Sequence, residues 1–100
     1  MNEYIQALRK AIKKMHGCDS RHVESAPVME TFRGKVVWDG QVEVFDLEGH
    51  PKAKRCYAWS HQEGDKETER RYVAVLGLPP VNSPLDAVRA AIVSQGKENV

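Results

Sequence analysis

Asp39-Gly40 stands between Val36-Val37-Trp38 and Gln41-Val42-Glu43-Val44-Phe45, and no other dipeptide constrains the fold of this chain as much. Asp-Gly readily supplies the positive φ angles of a tight hairpin turn, so the β-prone runs on either side read as two antiparallel strands in fixed register. A turn centred there puts Phe32 opposite Leu47, Gly34 opposite Phe45 and Arg33 opposite Asp46. An aromatic then covers bare glycine backbone and opposite charges face each other, each pair contributing roughly 0.2 to 1 kcal/mol. A slip of one residue would lose all three pairs.

The next turn, Gly49-His50-Pro51, reads as a three-residue loop closed by Glu48 and Lys52, which carries Asp46 to Lys54. Lys52 to His61 then runs extended through Cys56-Tyr57-Ala58-Trp59, Gln62 to Glu69 forms a solvated connection, and Arg70 to Leu78 returns as a fourth strand, with Trp59 across from Tyr72. The first strand is placed from about Val28 to Trp38, because Pro27 fits only a strand start, an edge or a bulge.

Helices bracket this meander. Tyr4, Ile5, Leu8, Ala11, Ile12 and Met15 recur at helical spacing within Asn2 to His16, and Gly17 follows as a C-terminal cap. Ser83-Pro84-Leu85-Asp86 has the form of a helix start: a capping hydroxyl, a proline at the first helical position and an acid three residues after the cap. Leu85, Val88, Ala91 and Ile92 give the buried stripe and Gly96 the end, with Lys97 to Val100 fraying. The expected fold is a single α+β domain over residues 1–100, two-layered, with a four-stranded antiparallel meander between N- and C-terminal helices (α-β-β-β-β-α).

A chain of 100 residues, 41% apolar and 29% charged, has enough apolar surface to fold as one small unit. Fifteen basic against fourteen acidic side chains leave a formal charge of +1, which implies no bulk attraction to nucleic acid or membranes. No run is long enough to cross a membrane, and the N-terminal stretch is an amphipathic helix, so the expected location is cytoplasmic. Cys18 and Cys56 are read as free thiols on that compartment argument.

Carrying the registers across the sheet gives two apolar faces. One holds Phe45, Leu47 and the aromatic group Trp38, Tyr57 and Trp59; the other holds Val42, Val44, Cys56 and Ala58. Two helices cover one face, taken to be the aromatic one, so the second face is expected to be a homodimer interface built on Val42, Val44, Cys56 and Ala58. Glu43 and Arg55 fall on the aromatic face in this register. They read either as a rim ion pair or as the polar end of a ligand pocket that Trp38, Tyr57 and Trp59 enclose.

No catalytic residue emerges. Cys56 and His61 are five apart on a strand and point to opposite faces, which rules them out as nucleophile and base. His16, His22, His50 and His61 are scattered without a ligand set for zinc, no cofactor motif occurs, and Glu67 and Glu69 solvate the connection they sit in. Arg9, Lys10, Lys13 and Lys14 on the first helix, with Lys52, Lys54 and Arg55, could meet phosphates. The helix–strands–helix order resembles the double-stranded-RNA-binding domain. That family carries a lysine cluster at the start of its last helix, where this chain has Pro84-Leu85-Asp86 and only Arg89, so nucleic-acid binding is disfavoured.

The stretch from Val42 through Phe45-Asp46-Leu47 and Lys52-Ala53-Lys54-Arg55-Cys56 to Trp59 is similar to a family of small bacterial proteins found in mobile integron gene cassettes. That resemblance implies a compact α+β protein, often oligomeric, and carries over no functional residue. The reading from sequence is a binding or protein-interaction module that forms a homodimer. The alternative is a small-molecule-binding protein with an aromatic pocket between sheet and helices; a weak enzyme or a nucleic-acid binder stands behind both.

Overall fold

The computed structural model describes residues 3–62 and 70–98. Its order is α1 (Glu3–His16), β1 (Asp19–Phe32), β2 (Lys35–Glu48), β3 (Arg55–Gln62), β4 (Arg70–Leu76) and α2 (Pro84–Glu98). The strands form one antiparallel sheet in the order β1-β2-β3-β4. The α+β class and the α-β-β-β-β-α order therefore follow the sequence reading. The expected polar connection from Gln62 to Glu69 and the end of the chain at 99–100 lie outside the described residues, apart from Gln62, which closes β3.

Both helix signals act as their chemistry dictates. Gly17 takes a φ of +73°, and its N–H donates to the Lys13 carbonyl at 2.9 Å, closing the last turn of α1. At α2 the Asp86 N–H donates to Ser83 Oγ at 3.1 Å, while Asp86 Oδ2 accepts from the Asn82 N–H at 3.1 Å. Helical structure runs past Gly96 to Glu98, two residues beyond the expected end.

The first hairpin turns elsewhere than the Asp-Gly pair suggests. The turn is Arg33-Gly34, with φ of +53° and +78°, between Phe32 and its partner Lys35. Two successive positive φ values are what a two-residue hairpin needs, and Gly34 supplies one at no steric cost. Asp39-Gly40 lies inside β2, where Gly40 pairs with Val28 and its bare backbone is covered by the Trp38 ring of the same strand. β1 accordingly begins at Asp19 rather than Val28, with Pro27 accepted on an edge strand.

Opposite charges do face Asp46, but they come from residues other than the expected ones. Asp46 faces Arg21 across β1–β2 (3.0 Å) and Arg55 across β2–β3 (3.4 Å), rather than Arg33 and Lys54. The connection between β2 and β3 is six residues, 49–54, in which the His50 Nδ1 accepts from the Lys52 and Ala53 N–H groups (3.1 and 2.8 Å). Trp59 pairs with Val73 and Ser60 with Tyr72, again one residue from the expected register.

The helices divide between the two faces of the sheet. Leu8 and Ile12 of α1 pack on Phe45, Cys56 and Ala58, while Ala87 and Val88 of α2 pack on Val28, Val42, Val44, Tyr57 and Trp59. The placement of both helices on one face is thus corrected: α1 and α2 form separate layers with the sheet between them. Burial of a side chain such as Leu8 or Ile12, both 0% exposed, stabilises by roughly 1.5–3 kcal/mol each. α1 is further fixed by the Arg9 Nε donating to the Ser20 carbonyl (2.9 Å), the Ser60 N–H donating to the Tyr4 hydroxyl (3.0 Å) and His16 Nε2 donating to the Ala74 carbonyl (3.0 Å). On the other face Arg89 of α2 is ion-paired with Glu30 of β1, and that hydrogen bond holds the Glu30 carboxyl below the usual range.

Candidate functional site

β1 and β2 stay paired from Asp19↔Glu48 to Phe32↔Lys35, but the register shifts between His22 and Glu24. Val23 is the extra residue of this bulge. Side chains of a regular strand alternate, so positions three apart would face opposite sides; one inserted residue brings them to the same side. His22, opposite Phe45, and Ser25, opposite Glu43, consequently both face α1.

They converge on one carboxylate. His22 Nε2 lies 2.9 Å from Glu43 Oε1, and the Ser25 hydroxyl donates to that same oxygen. Glu43 is 3% exposed, in the middle of β2 and between apolar neighbours. A carboxylate so placed requires donors, because an ion removed from water without partners is costly. The His22 ring also packs edge-on against Phe45, with centroids 5.3 Å apart, which fixes its plane. Serine and histidine both address the carboxylate, so the group is not a serine–histidine–acid relay, in which histidine would stand between the other two. It is a rigid polar cluster that presents a hydroxyl and an imidazole.

That cluster forms one wall of a cleft between α1 and β1. The cleft measures about 630 Å³ and is lined by Ile5, Gln6 and Arg9 of α1, by Ser20, Arg21, His22 and Ser25 of β1, and by Glu48 of β2. Glu43 stands behind His22 and Ser25. Ser20 is 3% exposed, and its Oγ has no hydrogen-bond partner among the described residues. Arg21 is turned to Asp46. Among the described residues no group of three or more His, Cys, Asp or Glu side chains is placed to hold a metal ion.

The residues singled out from sequence do not assemble into the expected sites. Tyr57 and Trp59, each 3% exposed, are core residues beneath α2, where Trp59 meets Trp38 edge to face at 5.6 Å. Arg55 is paired with Asp46, and Glu43 lies on the other face of the sheet. The cause is the longer β2–β3 loop: a register change of one residue sends Glu43 to the side opposite Arg55 and Tyr57. The interface residues separate for the same reason. Val42 and Val44 lie under α2, Cys56 and Ala58 under α1, and all four are 0% exposed, so these side chains are interior rather than available to a second copy.

Cys18 and Cys56 carry free thiols, both buried. Burial, with a smaller contribution from Cys18, pushes the Cys56 thiol up to about 12, which leaves it neutral and unreactive at ordinary pH. Of the Glu43 group, sequence reading found Glu43 alone. No periodicity flags His22 and Ser25, because the bulge that joins them breaks the period.

Comparison with protein-family models, with curated proteins and with solved structures gives no match. No helix among the described residues is long and apolar enough to cross a membrane.

Proposed function

We propose that this protein is a small binding module whose ligand occupies the cleft between α1 and β1. The observation that carries this reading is the buried Glu43, held by His22 and Ser25 immediately behind the cleft wall. A buried polar group of this kind costs stability relative to an apolar core, yet it fixes two functional side chains on rigid strands. The cleft volume falls within the roughly 300–1,000 Å³ of small-molecule sites, and a few convergent polar groups beside an apolar residue, Ile5, are the usual composition of such a site. Two buried free thiols fit a reducing, cytoplasmic setting.

Ligand-observed NMR against a library of small polar compounds tests the reading. Replacement of Ile5 by tryptophan, which fills the cleft from α1, should abolish the hits, while Phe32→Ser at the far end of the hairpin should leave them unchanged. Hits indifferent to Ile5→Trp would overturn it.

A homodimer is the second reading, and one observation favours it at a new location. Met29, Phe32, Val36, Val37 and Val93 are between 48% and 63% exposed around the tip of the β1–β2 hairpin. Beside them, among the described residues, β2 before Glu43 has no strand partner on its β3 side, since β3 pairs with Glu43 to Asp46. A free edge flanked by apolar side chains is self-complementary across a two-fold axis. Sedimentation of the wild type against Phe32→Ser tests it: a dimer that dissociates in the variant supports the reading, and an 11.3 kDa species for the wild type at micromolar concentration removes it.

A further inference from the structure

Ser20 is the residue whose chemistry is incomplete. Its carbonyl accepts from Arg9 Nε at 2.9 Å, but its hydroxyl, in a residue 3% exposed, has no partner among the described residues. Buried hydroxyls are nearly always satisfied, so one left open at the wall of a cleft marks a place where something else completes it. Ser20 and Arg9 both line two adjoining hollows: the cleft of about 630 Å³ and a smaller one of about 220 Å³ bounded by Gln6, Lys10, Lys13 and Asp19. The charges around that boundary are unequal. Lys13 is matched by Asp19 at 3.3 Å, and Glu43 is occupied by His22 and Ser25. Arg9 and Lys10 meet no carboxylate among the described residues, whereas Glu48 on the cleft rim is exposed to solvent.

We infer that Arg9 and Ser20, with Lys10 beside them, form an oxyanion subsite that takes the acidic group of a small organic ligand. The inference rests on the cleft reading above and names the chemistry of the ligand. Arg9 is pre-set for this role: its Nε is tied to the Ser20 carbonyl and its Nη1 reaches the Gln6 side chain at 3.4 Å, so the guanidinium is held in place beside the unpartnered hydroxyl. A guanidinium offers donors alone and the unpartnered hydroxyl has a further O–H to give, and donors converging beside unbalanced positive charge favour an oxyanion. Ile5, on the same wall, gives apolar surface for the rest of the molecule. The basic residues of α1 thereby gain a role that does not involve nucleic acid.

The test is titration of the ¹⁵N-labelled protein with benzoate, succinate and, separately, inorganic phosphate. Saturable shifts are expected at the Ser20 amide and the Arg9 Nε–H, weakening as salt is raised. Ser20→Ala and Arg9→Gln should each weaken binding about tenfold or more, and Lys10→Gln by less. Ser20→Ala removes an unsatisfied group, so its thermal midpoint should be equal to or above that of the wild type, which separates lost binding from lost folding. Carboxylates that saturate without competition from phosphate assign an organic acid, and phosphate displacing them at the same amides assigns a phosphate-bearing ligand. Absence of saturable shifts for all three anions, or binding unchanged in Ser20→Ala, overturns the subsite. Neutral library compounds that still bind wild type and fail to bind Ile5→Trp would then keep the cleft reading standing alone; loss of both would remove the two together.

Discussion

His22 Nε2 and Glu43 Oε1 meet at 2.9 Å across β1 and β2, and the bulge at Val23 brings Ser25 to the same oxygen. Removal of one partner from a buried carboxylate is costlier than removal of both, since the remaining charge keeps its desolvation penalty. His22→Ala should therefore lower stability by about 1–3 kcal/mol, in the range for hydrogen bonds to charged groups. The double variant His22→Phe with Glu43→Leu should recover most of that loss. Urea midpoints for the three proteins decide it, and a double variant less stable than His22→Ala would overturn the cost assigned to an unpartnered Glu43.

The location of the hairpin turn makes two glycines behave differently. Gly34 has a φ of +78°, so Gly34→Ala places a side chain in the left-handed region and should cost on the order of 1 kcal/mol. Gly40 has ordinary backbone, and a Cβ there would come 3.3 Å from the Trp38 ring, which needs to shift by only a few tenths of an ångström. Gly40→Ala should thus be the milder change in thermal denaturation. The reverse order would return the turn to Asp39-Gly40.

Ser83 caps α2 through the Asp86 N–H at 3.1 Å. Ser83→Ala should reduce stability by about 0.5–2 kcal/mol, the ordinary loss for a hydroxyl cap, without altering binding in the distant α1 cleft. An unchanged unfolding midpoint would mean that the helix starts by other means.

Cys56 makes stability fall at high pH. Its thiol is raised from 9.0 to about 12 in the folded protein, so between those values the native state holds a proton that the unfolded chain has released. The contribution is fully present below pH 9 and is lost as pH rises toward 12. Denaturant titrations should show a decline above pH 9 that Cys56→Ala, measured against its own lower baseline, lacks. Disulfide-exchange reagents at neutral pH should react with Cys56 at the rate of unfolding; immediate reaction of the native protein would contradict its burial.

The caps and periodic stripes of α1 and α2 and the β-prone runs were legible in the sequence, because each depends on residues close in the chain; the partners of Asp46, expected as Arg33 and Lys54 but found as Arg21 and Arg55, were not, because they depend on register. Tertiary structure decided which turn closes the first hairpin: Arg33-Gly34 and Asp39-Gly40 are both competent locally, and the pairing of β1 from Asp19, with Trp38 lying over Gly40 inside β2, settles the choice. It also decided the faces. A strand's side-chain period is two, so the six-residue loop before Arg55 and the bulge at Val23 each reverse which residues lie together, moving Glu43 away from Arg55 and toward His22 and Ser25. No short-range signal in the sequence encodes such a shift, because its energy lies in how α1 and α2 pack on opposite sides of the completed sheet.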